Sequence, residues 1–269
     1  MGPDHLGEAT ADVDIAVMGA HSGGARTLAR MVVESAAHLP LVVSIAKGLE
    51  PDTLRRMSDV YSEEVGHELV VSVGGPCLAD EIASGLPTAA VFAADSEAPR
   101  KQVGEAFRSK SFHVHETDDV AGLEYCAVGK NVAAIGIGML DGIGKTSNAN
   151  YRNAKAALFT QAVDELTAFA VALGGREETA KGLAGLGDTL VTSLGGRNRL
   201  YGELIGEGGD PERAREELDA RGMTVEGVDS TRDVQTLAEQ KGLDLPLFAQ
   251  VHRVLFGGEP AATILDVMT

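Results

Sequence analysis

The chain has 269 residues, enough to bury a proper core in two domains, and a formal net charge of -17. That charge argues against nucleic acid or an anionic membrane as partner, because phosphate groups are repelled overall; a small anionic substrate would need a local cluster of positive charge and backbone N–H groups. Two cysteines, Cys77 and Cys126, show no CxxC or metal-ligand spacing and fit a reducing cytoplasm. No signal peptide is evident at the N-terminus, and the most apolar run reads as too short and too glycine-rich to cross a bilayer, so a soluble, cytoplasmic protein is expected.

Residues 1–12 are polar and uninformative. Val13 to Met18 (VDIAVM) reads as a buried strand, followed by a glycine-rich turn at Gly19 to Gly24 and a helix from Ala25 to about His38. The turn is a loose relative of the dinucleotide-binding glycine turn, but His21 puts a side chain where close approach to a pyrophosphate is wanted, and an ordinary strand-to-helix turn is the commoner reading. Further strands are predicted at Leu41 to Ala46, Leu69 to Val73, Thr88 to Ala93 and Phe112 to His115, with helices over Pro51 to Val65 and Ser96 to Lys110. Near-continuous Val/Ile/Ala strands alternating with helices predict a mostly parallel sheet covered on both faces.

Lys47 stands at the carboxyl end of the second of these strands, then Gly48 turns the chain and Pro51 occupies a plausible first helical position. Ligands of open α/β sheets sit beyond the carboxyl ends of strands, so Lys47 and the loop Gly74 to Glu81 are placed to meet one. A solvated lysine and a simple Gly-Pro turn are the plain alternatives.

From Asp118 the strand signal disappears and helical patterns take over, at 119–140, about 150–173, 197–206, 211–220, 229–241, 246–256 and 259–268. The expected division is 1–117 and 118–269. Gly122 to Leu140 reads as an apolar helix with Lys130 and Asn131 in its middle. Leu123, Ala127, Lys130, Ala134 and Ile137 follow steps of three and four, which points Lys130 the same way as small apolar neighbours. Either its head snorkels to water or it lines a pocket. Downstream, Asp188 and Thr192 share a helical face. Gly195-Gly196-Arg197-Asn198 turns into a new helix whose N-terminus would suit a phosphate, by backbone donors, dipole and guanidinium together.

These segments carry a resemblance. SIAKGLEPDTL, GGPCLADEIASGLPTA, GLEYCAVGKNVAAIGIGMLDGIG, NAKAALFTQA, GLAGLGDTLVTSLGGRNR, VEGVDST and LPLFAQVHRVLFGG occur in the order found in the NAD(P)-dependent glycerol-3-phosphate dehydrogenases, which the chain resembles from Glu8 to its C-terminus. The resemblance implies an α/β then all-α chain, a Rossmann-type sheet followed by a helical substrate domain, NAD or NADP as cofactor, glycerol 3-phosphate or dihydroxyacetone phosphate as substrate, and a homodimer. Residue by residue it implies Lys130 as the general acid/base. Lys47, Gly75, Cys77, Asn131, Asp188, Thr192, Gly196, Arg197 and Asn198 would contact substrate; Lys47, Ala79, Arg197, Thr224 and Glu226 would contact cofactor. A lysine desolvated in an apolar helix near other cations is a suitable base for an alcohol losing a hydride.

This chain departs from the family pattern at Cys77, where a hydroxyl residue is usual, at Gln161, where Arg is common, and at Gly19-Ala20-His21, where Val-Pro is common. VDIAVM aligns with the family's fourth strand, so the first βαβ unit with its glycine fingerprint is expected to be missing and the sheet incomplete. A remnant that binds glycerol phosphate or a partner subunit without redox activity is the alternative reading.

Overall fold

The computed structural model describes residues 5–268. Two compact units are formed, Met1–Tyr125 and Cys126–Thr269. Division by packing therefore lies inside a helix, whereas strand composition stops at Thr117.

The first unit holds a short helix α1 (Leu6–Thr10) in the otherwise uninformative opening stretch, of which residues 1–4 lie outside the described residues. Its five strands are β1 (Ile15–Met18), β2 (Leu41–Ser44), β3 (Val70–Gly74), β4 (Thr88–Ala93) and β5 (Phe112–Thr117), in that spatial order. Neighbours are parallel except β3 and β4, which pair antiparallel with Val73 opposite Phe92. The sheet is thus mixed. The reason lies in the link from Gly74 to Thr88, whose helix α4 (Ala79–Ala83) has five residues. At 1.5 Å per residue it spans only about 7.5 Å, too short to carry the chain back along a strand for a parallel crossover.

Alternation along the strands builds two cores. Val42 and Val70 face one way, where α2 (Ala25–Ser35) and α3 (Met57–Val65) bring Ala25, Ala29, Met57, Val60 and Tyr61. Val43 and Val71 face the other way, toward Phe92, Val103 and Val114, with Val103 on α5 (Glu97–Phe107). Cover on this second side is incomplete near the edge strand β1, where Val17 stays 50% exposed and Ile45 46%.

The helix expected from Pro51 begins only at Met57. Residues 51–56 form a turn in which Asp52 (φ 66°) and Leu54 (φ 56°) adopt left-handed backbone. Arg26 holds the Glu50 carboxylate at 2.6 Å, Thr53 donates to the same group, and the Glu50 N–H donates to the Arg55 carbonyl, so backbone and side chains favour the turn over a helix start.

The helix α6 (Val120–Ser147) has 28 residues, longer than the apolar run read from sequence, and by length and composition it could cross a membrane. Burial of 89% of its most apolar window makes it a core helix. Its first turns belong to the first unit, where the buried Glu124 carboxylate accepts from the Ser58 N–H (2.9 Å), the Ser58 hydroxyl (2.5 Å) and the Ser72 hydroxyl (2.9 Å).

The remainder of α6 runs through the second unit with α7 (Arg152–Ala172), α8 (Glu177–Ala180), a π-helical turn Leu183–Gly187, α9 (Asp188–Leu194), α10 (Arg197–Gly206), α11 (Pro211–Ala220), α12 (Glu226–Lys241) and α13 (Pro246–Phe256). The terminal pattern at 259–268 is a 3-10 helix, Ala261–Met268. Glycines explain how α6 crosses α10. A Cβ at Gly138 or Gly142 would overlap the carbonyl oxygens of Arg199 and Glu203, and one at Gly202 or Gly206 those of Ile135 and Met139. Two reciprocal glycine pairs, each four residues apart, let the helix backbones touch.

Candidate functional site

The residues singled out from sequence fall into two groups, one in each unit. In the first unit Lys47 lies three residues beyond β2, half-buried, and its Nζ donates to the Gly75 carbonyl at 3.5 Å. Gly75 has φ +98°, a conformation that side chains resist, and turns the chain out of β3. Cys77 directs its Sγ to the Gly74 carbonyl at 3.8 Å. Lys47, Cys77 and Ala79 line a cleft of about 520 Å³ whose walls are mainly apolar, Val17, Ile45 and Phe92 among them. Apolar walls with one ammonium at the carboxyl ends of parallel strands suit a flat ring joined to an anionic group. In the Gly19–Gly24 turn the His21 ring folds over Gly23 and Gly24, within 3.4 and 3.5 Å of where their Cβ atoms would stand.

In the second unit α6 presents Lys130 inward rather than to water. Its ammonium donates to Asp188 Oδ1 at 2.7 Å and to Thr192 Oγ1 at 3.0 Å. Snorkelling is therefore excluded: the Lys130 side chain is 5% exposed and that of Asp188 2%. Asp188 and Thr192 share a face of α9, as their spacing predicts, and the Thr192 hydroxyl donates back to the Asp188 carbonyl at 2.6 Å. That bond leaves the threonine oxygen lone pairs for the ammonium. Gly185 sets α9 in place from the π-helical turn, since a Cβ there would overlap the Ala180 carbonyl.

One residue on from Lys130, the buried Asn131 joins a chain of amides. Asn198 donates from Nδ2 to Asn131 Oδ1 (3.0 Å), Asn131 donates from Nδ2 to Ser230 Oγ (3.4 Å), and the Gly227 N–H donates to Asn198 Oδ1 (2.9 Å). Three helices, α6, α10 and α12, meet there. Gly196 precedes α10 with φ +97°, and Arg197, the first residue of that helix, is exposed. Thr224 is exposed and Glu226 half-buried at the start of α12.

Sequence reasoning did not single out Gly227 or Ser230, although both lie in VEGVDST. The available signal was a small residue and a hydroxyl three apart in the opening turns of a helix. Glu124 was also missed. Burial pushes its carboxyl above the ordinary carboxylate range, against the opposing pull of the Ser58 bond and the Arg56 charge.

An α/β unit with a ligand cleft, followed by a helical unit that buries a lysine on a carboxylate, defines a two-domain dehydrogenase architecture, and the comparisons specify which. The profile of NAD-dependent glycerol-3-phosphate dehydrogenase C-terminus matches residues 119–266, and that of the N-terminus matches residues 3–99. A glycerol-3-phosphate dehydrogenase (NAD(P)+) of Moorella thermoacetica is 38% identical over 260 residues, covering 93% of this chain and 75% of the relative. Its counterpart in Aliivibrio fischeri is 41% identical over 220 residues, covering 80% and 62%. The crystal structure of glycerol-3-phosphate dehydrogenase from Coxiella burnetii superposes with a TM-score of 0.84 at 31% identity, over 95% of this chain and 77% of that one. That from Saccharomyces cerevisiae gives 0.84 at 26%, over 98% and 77%.

The chain belongs to the NAD-dependent glycerol-3-phosphate dehydrogenase family. The match over residues 3–99 shows that the N-terminal domain of the family is represented in this chain, and the catalytic reading is favoured over that of a non-catalytic remnant.

Proposed function

We propose that this protein interconverts sn-glycerol 3-phosphate and dihydroxyacetone phosphate by hydride transfer with NAD or NADP. The single observation that carries the reading is the buried Lys130–Asp188–Thr192 cluster in a chain of this family. When bound, the nicotinamide supplies the partner that accepts or gives the hydride.

The protein's own part is proton transfer, anchoring and exclusion of water. In the oxidative direction Lys130 Nζ takes the proton that the substrate C2 hydroxyl loses; in the reductive direction it returns that proton to the carbonyl oxygen. Asp188 compensates the resulting ammonium charge, which would otherwise stand uncompensated in an apolar helix core. Thr192 fixes the direction of the Nζ atom. Arg197, with Gly196 and the backbone N–H groups that open α10, binds the phosphate ester. Binding energy collected at that end orients the reacting carbon at the other. Asn131 and Asn198 complete the substrate pocket of the 118–269 domain. The family resemblance further implies Lys47, Gly75 and Cys77 as substrate contacts and Lys47, Ala79, Arg197, Thr224 and Glu226 as cofactor contacts.

Two cysteines that form no disulfide, Cys77 and Cys126, support a cytoplasmic setting. Open pairing groups along the edge strand β1, beside the exposed Val17, support a homodimer. The test is turnover: dihydroxyacetone phosphate and reduced nicotinamide are mixed with the protein and the nicotinamide absorbance is followed. Consumption that requires both reactants supports the proposal; none at high protein concentration rejects it.

A further inference from the structure

The chain leaves β2 through Lys47-Gly48-Leu49-Glu50 and enters a turn that is costly to hold. Asp52 and Leu54 are two of the three non-glycine residues with positive φ among the described residues, at 66° and 56°. Left-handed backbone is unfavourable for a residue with a side chain and persists only where its surroundings fix it.

A side chain from α2 does the fixing. Arg26 donates to both carboxylate oxygens of Glu50, from Nε at 2.6 Å and from Nη2 at 3.0 Å, while its Nη1 meets Glu63 and Glu64 of α3, each at 2.8 Å. The planar fork of the guanidinium joins the loop to two helices at once, which a lysine could not do. Glu50, held in this way, organises the turn. Its N–H donates to the Arg55 carbonyl at 2.9 Å, its carbonyl accepts from the Leu54 N–H at 3.0 Å, and its carboxylate accepts from the Thr53 hydroxyl at 2.6 Å. One residue back, Leu49 is buried and pairs with Arg56. Gly48 lies so close to Ser22 that a Cβ would stand 3.0 Å from the serine Oγ. Every residue from Gly48 to Glu50 is therefore held in place, and Lys47 is the next residue toward the strand.

We propose that Arg26 is a positioning residue for the nicotinamide cofactor: by holding Glu50 it fixes the exit of β2, and with it the place from which the Lys47 ammonium reaches the Gly75 carbonyl, at 3.5 Å, and the cleft that Lys47 lines. This rests on the function proposed above and on the cofactor contact that the family resemblance implies for Lys47, and deepens both. Arg26 is not among the residues that line the cleft; it acts through the backbone of residues 47–50. Without it Glu50 is released and the left-handed turn relaxes, so that part of the binding free energy goes into ordering the loop.

The experiment measures dissociation constants of NADH and NADPH by their fluorescence, on the full chain, for wild type, Arg26→Ala, Arg26→Lys, Lys47→Ala and the Arg26→Ala/Lys47→Ala double variant. Hydrogen exchange at the Leu54 amide and steady-state kinetics are read alongside. Arg26→Ala is expected to weaken binding by about 3- to 30-fold, the range of couplings carried through a shared stretch of backbone, to speed Leu54 exchange, and to raise KM for the cofactor while kcat stays within about threefold of wild type. Arg26→Lys, a point charge without the fork, is expected to recover part of the loss. Added to Lys47→Ala, Arg26→Ala is expected to change the dissociation constant by less than about twofold, because no ammonium is left to position. Should Arg26→Ala fail to fold, Arg26→Lys replaces it in both backgrounds.

Wild-type affinity in Arg26→Ala, or the same fold-loss with and without Lys47, would overturn the proposal and leave Arg26 a stabilising residue only. Wild-type affinity in Lys47→Ala would overturn the Lys47 contact, and this proposal with it. A wild-type protein that binds nicotinamide without turnover would instead overturn the function proposed above, and the binding comparisons would still judge Arg26. One that binds neither NADH nor NADPH would overturn both.

Discussion

Lys130 Nζ and Asp188 Oδ1 lie 2.7 Å apart with both side chains almost wholly removed from water. They come from helices far apart in sequence, α6 and α9, and the pair is the point at which fold and proposed chemistry coincide. A buried pair of this kind is a poor source of net stability but is costly to break, because the surviving buried charge loses the opposite charge that compensates it.

Asp188→Asn is accordingly expected to lower stability by about 3–5 kcal/mol, and a Lys130→Met/Asp188→Asn double variant to recover a substantial part of that loss. Urea unfolding of the singles and the double checks this. Additive losses would show that the two side chains do not act as a pair.

Arg197 is exposed at the first position of α10 and is proposed as the phosphate anchor. Arg197→Ala should leave stability within about 0.5 kcal/mol of wild type and weaken phosphate-ester binding by about 1.5–3 kcal/mol. Calorimetric titration with glycerol 3-phosphate, beside a thermal melt, measures both. Unchanged affinity would remove Arg197 from the pocket.

Two carboxylates give stability opposite slopes with pH. Burial raises the Glu124 carboxyl in the folded chain. Its contribution is complete below the unfolded carboxylate pKa and is lost as pH rises through the higher folded value. Glu124→Gln should remove that loss, so the variant gains on wild type as pH rises from the carboxylate range upward. Glu50 behaves conversely. Its bond with Arg26 pulls the carboxyl down to about 2, so that contribution is present above the unfolded pKa and is lost as pH falls through the folded value. Arg26→Ala should therefore narrow its deficit to wild type in acid. Unfolding free energies measured over a pH series test both signs.

At the α6–α10 crossing, Gly138→Ala and Gly202→Ala place a methyl group against a backbone carbonyl of the facing helix, which cannot rotate away. Each should destabilise by at least about 1–3 kcal/mol, whereas alanine in an exposed helix interior normally stabilises by about 1 kcal/mol relative to glycine. Thermal melts showing a gain at either position would mean the backbones are not in contact.

Much of this was legible in the residues. Val/Ile strands, the helical patterns after Asp118 and the inward direction of Lys130 follow from local periodicity, which is short-ranged and strong. The partners of Lys130 are not local. Asp188 stands 58 residues away, and its four-residue spacing to Thr192 shows a shared face without showing what that face meets. The Asn198 bonds span 67 residues to Asn131 and 29 to Gly227, and no pattern in the chain encodes them. Direction of pairing was likewise hidden: TAAVFA has the composition of a parallel core strand, and only the brevity of α4 makes it antiparallel. The misplaced helix start at Pro51 came from weighing proline's preference above a turn held by Arg26, a residue far back in sequence.

The most direct test of the account is the steady-state rate of dihydroxyacetone phosphate reduction by wild type and Lys130→Met, with nicotinamide binding to both measured in parallel. The account predicts that wild type turns over, that the variant still binds cofactor and phosphate ester, and that its kcat falls by about 100- to 10,000-fold, the worth of a positioned proton donor. A folded variant that retains the wild-type rate would contradict it.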